Sequence, residues 1–241
     1  MTKKILIIET NTPKYDKTNR ATGLWLGETT HFYDEIISAG YEVDFASPKG
    51  GYVPLDPESF KYANEIDWKW YTERSFREAA LSNTKKITDL NPQDYGTIYF
   101  TGGHGVLWDY PEDKVLMKVA EAIYYAGGFI TSVCHGVAGL LNLKDEEGQY
   151  LIKDKVITGF TNEEEELNGT TTAVPFLTET ELNQRGAQYK KAEAFKEYAI
   201  RDGRIITGQN PQSPQKVAEL LVAELRKLNH KKKKGLPSFL V

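Results

Sequence analysis

Short apolar runs alternate along this chain with longer stretches whose apolar residues return every three or four positions. Residues 4–9, 42–47, 97–102, 128–134 and 156–159 are rich in Ile, Val, Phe or Tyr and are punctuated by Gly or Pro. Such runs predict strands covered on both faces. Between them, residues 24–39 place Trp25, Phe32 and Ile36 on one line with Tyr33 and Ile37 beside it. Thr22 is positioned to cap this helix and Gly40 to end it. Residues 111–126 align Val115, Val119, Ile123 and Ala126, with Asp109 and Glu112 as the expected capping box and Gly127-Gly128 as the stop. Residues 215–228 close the pattern with a stripe of Val217, Leu220, Leu221 and Leu225. Strand and helix in alternation predict an α/β fold with a mainly parallel sheet.

Two stretches break the rhythm. Residues 51–91 hold Tyr52, Phe60, Tyr62, Trp68, Trp70, Tyr71 and Phe76 without an obvious strand, and residues 162–186 hold an acidic run followed by Val174-Pro175-Phe176-Leu177. Ligands of open α/β sheets bind beyond the carboxyl ends of the strands, so insertions there make lids and pocket walls. The plainer reading of Trp68, Trp70 and Tyr71 is a cap packed against the core. A length of 241 residues suits one large domain. The expected organisation is a single domain over residues 1–228, insertions near 51–91 and 162–186, and a basic disordered tail over 229–241.

Charge and cysteine content narrow the function classes. The formal net charge is −4, and the four lysines of 231–234 stand in an end segment without acids, so residues 1–228 carry −8. A body of that charge is no nucleic-acid binder. No run of about 18 apolar residues occurs, and no small-residue cleavage site follows the short apolar run near the start, so neither a membrane partner nor a signal peptide is expected. The expected location is cytoplasmic. One cysteine, Cys134, excludes an internal disulfide framework and any multi-cysteine metal site.

Three local patterns carry chemistry. Ser132-Val133-Cys134-His135-Gly136 lies between an apolar run and a helix-compatible stretch, the small-x-nucleophile-x-small pattern of a nucleophile elbow with Cys in place of Ser. A thiol at a helix N-terminus, with His135 next to it, is expected to ionise below the free value of about 8.5. The alternative is a structural cysteine at a strand end. Tyr99-Phe100-Thr101-Gly102-Gly103-His104-Gly105 runs a strand into a glycine-rich turn whose free N–H groups, with the His135 amide, suit a developing oxyanion. Gly103 and His104 are the expected oxyanion and substrate-pocket residues, and a simple chain reversal before Pro111 is the alternative. Glu28 falls on the Trp25, Phe32, Ile36 line, so a carboxyl sits on an apolar stripe, where a raised pKa or a partner must result. Pairing with His31 is the structural alternative.

Five blocks in order resemble the ThiJ/PfpI superfamily, of the class I glutamine-amidotransferase-like fold. They are Thr22-Gly23 through Glu28, Gly103-His104-Gly105 with Asp109-Tyr110-Pro111, Val133-Cys134-His135-Gly136, Ile157-Thr158-Gly159-Phe160-Thr161 with its following acids, and Thr207-Gly208-Gln209-Asn210-Pro211. The likeness is nearest to the branch of stress-induced chaperones and glutathione-independent glyoxalases (glyoxalase III). It implies a flavodoxin-like three-layer sandwich with a nucleophile elbow and a small cap insertion. It implies Cys134 as catalytic cysteine, His135 as its histidine and Glu28 as the carboxyl facing the thiol. The carboxylate orienting the histidine would fall within 163–166, best at Glu165, and of the four acids only that one should matter.

The resemblance further implies a cofactor-independent, metal-free lyase (D-lactate dehydratase) that turns the small dicarbonyl methylglyoxal and water into lactate. Repair of glycated amines is a variant of the same half-reactions. A homodimer is also implied. The rival readings are a holdase chaperone for unfolded-protein clients, a thiol-based oxidant sensor and, more weakly, a cysteine peptidase or amidohydrolase, for which a second activating histidine is missing after His135 apart from His230.

Overall fold

The structure, a computed structural model, describes residues 3–233. Its centre is a seven-stranded sheet in the order β3-β2-β1-β4-β5-β9-β8. The strands are β1 (Lys4–Ile8), β2 (Val43–Ser47), β3 (Lys85–Lys86), β4 (Tyr95–Phe100), β5 (Phe129–Val133), β8 (Ala199–Asp202) and β9 (Ile205–Gly208). All neighbours are parallel except β8 and β9, which form an antiparallel edge. This is the α/β fold with a mainly parallel sheet that the alternating pattern predicts, and the flavodoxin-like sandwich that the family resemblance implies. The run at 156–159 corrects one expectation: Val156–Ile157 (β6) lies outside the main sheet and pairs with Gln188–Tyr189 (β7) in a separate two-stranded ribbon.

Strand alternation sends successive side chains to opposite faces. Leu6 and Ile8 of β1 join Ile98, Phe100 and Ile130 under α5 (Lys114–Tyr125), against Leu116, Val119, Ala120 and Ile123. Ile5 and Ile7 join Tyr99, Val133 and Ile206 on the other face, under α1 (Leu26–Ser38) and α8 (Pro214–Lys233). There Phe32 stacks flat on Tyr99 at 3.6 Å, and the Tyr99 hydroxyl donates to the Glu28 carbonyl at 2.8 Å. That pair fixes how far α1 slides along the sheet.

Helix ends depart from the sequence reading where side chains find distant partners. Trp25, not Thr22, is the N-cap of α1; Thr22 is spent on Asp56, donating at 2.9 Å. The expected Asp109/Glu112 capping box does not form. Asp113 caps α5, accepting from the Val115 and Leu116 amides, while Asp109 ends the short α4 (Val106–Asp109) and accepts from Thr10 and Asn11. The closing helix is longer than its apolar stripe predicts. The tail expected from residue 229 is helical through Lys233, and its remainder, with Lys234 of the basic run, lies outside the described residues.

The 51–91 insertion is an aromatic cap on α1. It holds α2 (Glu65–Thr72) and the short α3 (Arg74–Phe76), and it supplies the edge strand β3 that its sequence hid. Trp70 meets Tyr33 edge-on at 4.7 Å and donates to Asp34 at 2.8 Å. The second insertion holds α6 (Asn162–Leu167) and α7 (Thr178–Gln184). Among the described residues no helix is long and apolar enough to cross a membrane.

The turn after β5 tolerates no side chain at Gly136, where a Cβ would sit 2.2 Å from the Phe100 carbonyl and 2.6 Å from that of Thr101. Backbone cannot yield as a side-chain tip does. Gly136→Ala is therefore expected to destabilise the fold by about 3 kcal/mol, at the upper end of overpacking costs. The urea midpoint measures it, and an unchanged midpoint contradicts the packing described.

Candidate active site

The carboxyl ends of β1, β4, β5 and β9 converge at one rim of the sheet, where α/β folds bind ligands. Cys134 follows β5 directly, with left-handed backbone (φ 56°). That conformation costs a non-glycine residue of order 1 kcal/mol and persists only where surrounding packing enforces it. The segment that follows, Cys134–Leu140, is a 3-10 helix buried along its whole length. This is the sharp strand-to-helix turn of a nucleophile elbow.

Glu28 arrives from the first turn of α1, fully buried. Its Oε2 accepts the Gly102 N–H at 2.7 Å, and its Oε1 has no hydrogen-bond partner. Gly102 is glycine because the groups crowd it: a Cβ there would lie 2.5 Å from Glu28 Oε2 and 3.1 Å from the Cys134 Cβ. Burial pushes the Glu28 carboxyl up to about 8, against the smaller pulls of the Cys134 thiol and the Gly102 N–H. Burial, and then the charge of Glu28, pushes the Cys134 thiol up as well. That reverses the expectation of a thiol below its free value. A short 3-10 turn beside a His does not offset desolvation and a like charge. The thiolate and the carboxylate are not both charged, so the pair keeps one proton.

His135 lies on the other side of the thiol, Nδ1 at 3.4 Å from Sγ. Its Nε2 is 2.7 Å from Glu165 Oε2, and His104 Nε2 is 2.7 Å from Glu165 Oε1. A carboxylate only accepts, so both Nε2 atoms carry hydrogen, which leaves His135 Nδ1 to take or return the sulfur's proton. Thr170 also donates its hydroxyl to Glu165 Oε1. Although burial opposes it, the two imidazoles hold the Glu165 carboxyl far below the usual carboxylate range. His104 is kept below 6.5 by burial and then by the neighbouring His135 imidazole. The ligand-type atoms of His104, His135 and Glu165 lie within 4.8 Å of one another and are the set here that a metal ion could use; both Nε2 hydrogens are already given to the carboxylate.

Of these groups, Cys134, His135 and His104 line a cavity of about 520 Å³, while Glu28 and Glu165 are buried and do not line it. Gly103, His104, Cys134 and His135 line its floor, and Trp25, Tyr62, Phe160 and Phe195 its walls. Gly103 turns at φ +91°, and a Cβ on it would meet the Gly23 carbonyl at 2.2 Å, so the turn presses directly on the start of α1. His31 faces the cavity but pairs with Asp67 of α2 at 3.3 Å rather than with Glu28.

The DJ-1/PfpI family pattern matches residues 26–224. The chain belongs to that family. Among its DJ-1/PfpI relatives, "Glyoxalase 3" of Candida albicans is 36% identical over 92% of this chain and 98% of its own length. "Glutathione-independent glyoxalase HSP31" of Saccharomyces cerevisiae is 33% identical over 82% of this chain and 86% of its own. In three dimensions the chain is similar to the Rapid Encystment Protein 24 kDa of Francisella tularensis, with a TM-score of 0.90 at 38% identity, covering 93% of this chain and 99% of that one.

The sequence-level set Cys134, His135, Glu28 and Glu165 thus comes together at one rim of the DJ-1/PfpI sheet, with Gly103 and His104 on the cavity floor. Two features escaped sequence reading. His104 shares Glu165 with His135, a bond across 61 residues that no spacing announces. The walls Phe195, Pro211 and Gln212 come from loops near the carboxyl end; Pro211 belongs to a quoted motif, whereas Phe195 left no signal.

A carboxyl raised to about 8 binds a proton in the folded state that it has lost in the unfolded one. Its stabilising contribution is complete below the unfolded value near 4.5 and is lost as pH climbs through 8. Glu28→Gln removes this loss, so its melting temperature is expected to gain on the parent progressively from pH 5 to pH 8, and a constant difference contradicts the assignment. Removing the negative neighbour also lowers the pH midpoint of Cys134 alkylation relative to the parent.

Proposed function

We infer that the protein is a glutathione-independent glyoxalase, a lyase that converts methylglyoxal and water to lactate without added cofactor or metal. The carrying observation is a thiol set between a proton-holding carboxyl, Glu28, and an imidazole anchored by Glu165. Close relatives bear glyoxalase names over most of the chain.

The geometry supports the following sequence. The Cys134 sulfur adds to the aldehyde carbon, and the oxygen formed takes a proton, giving a hemithioacetal. N–H groups of Gly103 and His135 are suited to hold that oxygen while it is charged. Glu28, ionised once its proton has gone to that oxygen, removes the proton from the former aldehyde carbon and returns it to the neighbouring ketone carbon through an enediol, while the hydroxyl proton of the former aldehyde carbon passes to the ketone oxygen. The product is a lactoyl thioester, in which one carbon has been oxidised and the next reduced with no external electrons. His135 then activates water, which cleaves the thioester to lactate and the free thiol. Glu165 keeps the imidazole in the tautomer this needs. The small dicarbonyl fills only part of the cavity of about 520 Å³, which leaves room beside it for the water that cleaves the thioester.

The direct test is loss of methylglyoxal with lactate formation in buffer containing EDTA and no glutathione. Cys134→Ser is expected to yield no lactate. Glu28→Gln still adds thiol to aldehyde, so mass spectrometry should find a trapped adduct while turnover drops roughly 100-fold or more. Near-normal turnover by Glu28→Gln refutes the proton-transfer role. In Glu165→Gln the loss should also be roughly 100-fold, since a carboxamide cannot accept from both imidazoles. Chelator-sensitive turnover would overturn the metal-free reading.

A further inference from the structure

Of the four consecutive glutamates, two are exposed and two buried, and the first of the buried pair, Glu164, makes no contact with the thiol or its histidine. Glu164 Oε2 accepts the Thr161 N–H at 2.9 Å, closing the capping box of α6. Its Oε1 accepts the Phe195 main-chain N–H at 2.8 Å, the Gln209 side-chain amide at 3.0 Å and that of Asn210 at 2.9 Å. Four N–H donors from three separate segments meet on one fully buried carboxyl group.

Each of those segments reaches the cavity. The first begins α6, whose next residue is Glu165. The second carries Phe195, held in left-handed backbone (φ 56°) and 39% exposed. Its ring lies 6.2 Å from that of Phe160, which in turn packs on His135 at 4.3 Å. The third is the turn after β9, continuing into Pro211 and Gln212 on the cavity wall.

We propose that Glu164 is a positioning residue that joins the start of α6, the Phe195 loop and the turn after β9 into one rigid unit, setting both the direction of Glu165 and the width of the cavity mouth. The proposal departs from the expectation that Glu165 alone of the run matters. The chemistry requires a carboxyl: the four partners are all N–H donors, and a carboxamide can aim its oxygen at only one side. Gln in its place keeps the three bonds of Oε1 and turns an NH2 against the Thr161 N–H. Ala takes the acceptor from the Thr161 and Phe195 N–H groups and leaves the Gln209 and Asn210 side-chain amides only their main-chain carbonyls, those of Ala192 and Glu193 at 3.5 Å and of Lys196 at 2.7 Å, and it releases Phe195 from a backbone conformation that costs of order 1 kcal/mol.

The test uses two readouts, and the turnover arm rests on the glyoxalase reading. One readout is kcat and KM with methylglyoxal. The other, independent of turnover, compares alkylation of Cys134 by iodoacetamide and by iodoacetamidofluorescein, which share a reacting group and differ in bulk. Glu164→Ala is expected to lower kcat roughly tenfold or more, as a misaimed Glu165 should, and to raise the relative rate of the bulky reagent by about as much. Glu164→Gln should lower kcat with KM and size selectivity near the parent's. The exposed Glu163→Gln and Glu166→Gln serve as controls and should change neither. If Glu164→Ala melts lower yet keeps the parent's kcat per folded molecule and its selectivity, Glu164 is merely structural and the proposal is overturned. Should Ala not fold, Glu164→Gln decides: parental kcat overturns the proposal, and a lowered kcat with retained selectivity supports it. If the parent makes no lactate from methylglyoxal, the glyoxalase reading fails by itself, and the alkylation ratio still decides the role of Glu164.

Discussion

The site depends on a carboxyl group buried where nothing positive offsets it. Glu28 has one N–H donor, an oxygen without a partner, and a thiol alongside. Desolvation disfavours its charge, and so does any charge on the sulfur. The surroundings secure this arrangement. Phe32 and Tyr99 lock α1 against the sheet, the Tyr99 hydroxyl holds the Glu28 backbone, and Gly102 is bare so that β4 can end between carboxyl and thiol. A longer side chain at any of these contacts would separate proton and sulfur.

A second buried carboxyl, Glu165, meets the opposite fate a short distance away. Two imidazoles and a hydroxyl satisfy it, so it keeps its charge and acts as a fixed pole. The two acids differ in partners rather than in depth. Their proton affinities are pushed in opposite directions, which suits the division of roles in the proposed reaction, one group exchanging a proton and the other staying charged. The cysteine stands between a movable proton and a permanent negative charge relayed through His135.

Much of this was legible in the sequence, for identifiable reasons. The runs that became β1, β2, β4 and β5 are apolar because both sheet faces are covered, and burial on two sides leaves a plain mark. The edge strands left none: Lys85–Lys86 is charged, and Ala199–Asp202 pairs on one side only. Glu28 betrayed itself as an acid on an apolar stripe. The direction of the Cys134 pKa could not be read, because desolvation depends on what the rest of the chain lays over the thiol. Helix caps failed wherever a capping residue found a better distant partner, as Thr22 did in Asp56. Glu164 was hidden among its neighbours for the same reason, three of its four donors lying 31 to 46 residues away in sequence.

The strand order sets when the thiol comes under control. β5, which ends just before Cys134, is flanked by β4 on one side and on the other by β9, made some seventy residues later in the chain. A chain emerging from the ribosome therefore presents an unpaired β5 edge and an unsheltered cysteine until β9 has docked. Glu165, Phe195 and the turn after β9 arrive in that same late stretch. The desolvation that raises the thiol is absent during this interval, so the half-made protein carries a cysteine with ordinary solution reactivity and no histidine–carboxylate pair to direct it. Completion of the site is thus the closing of one sheet edge.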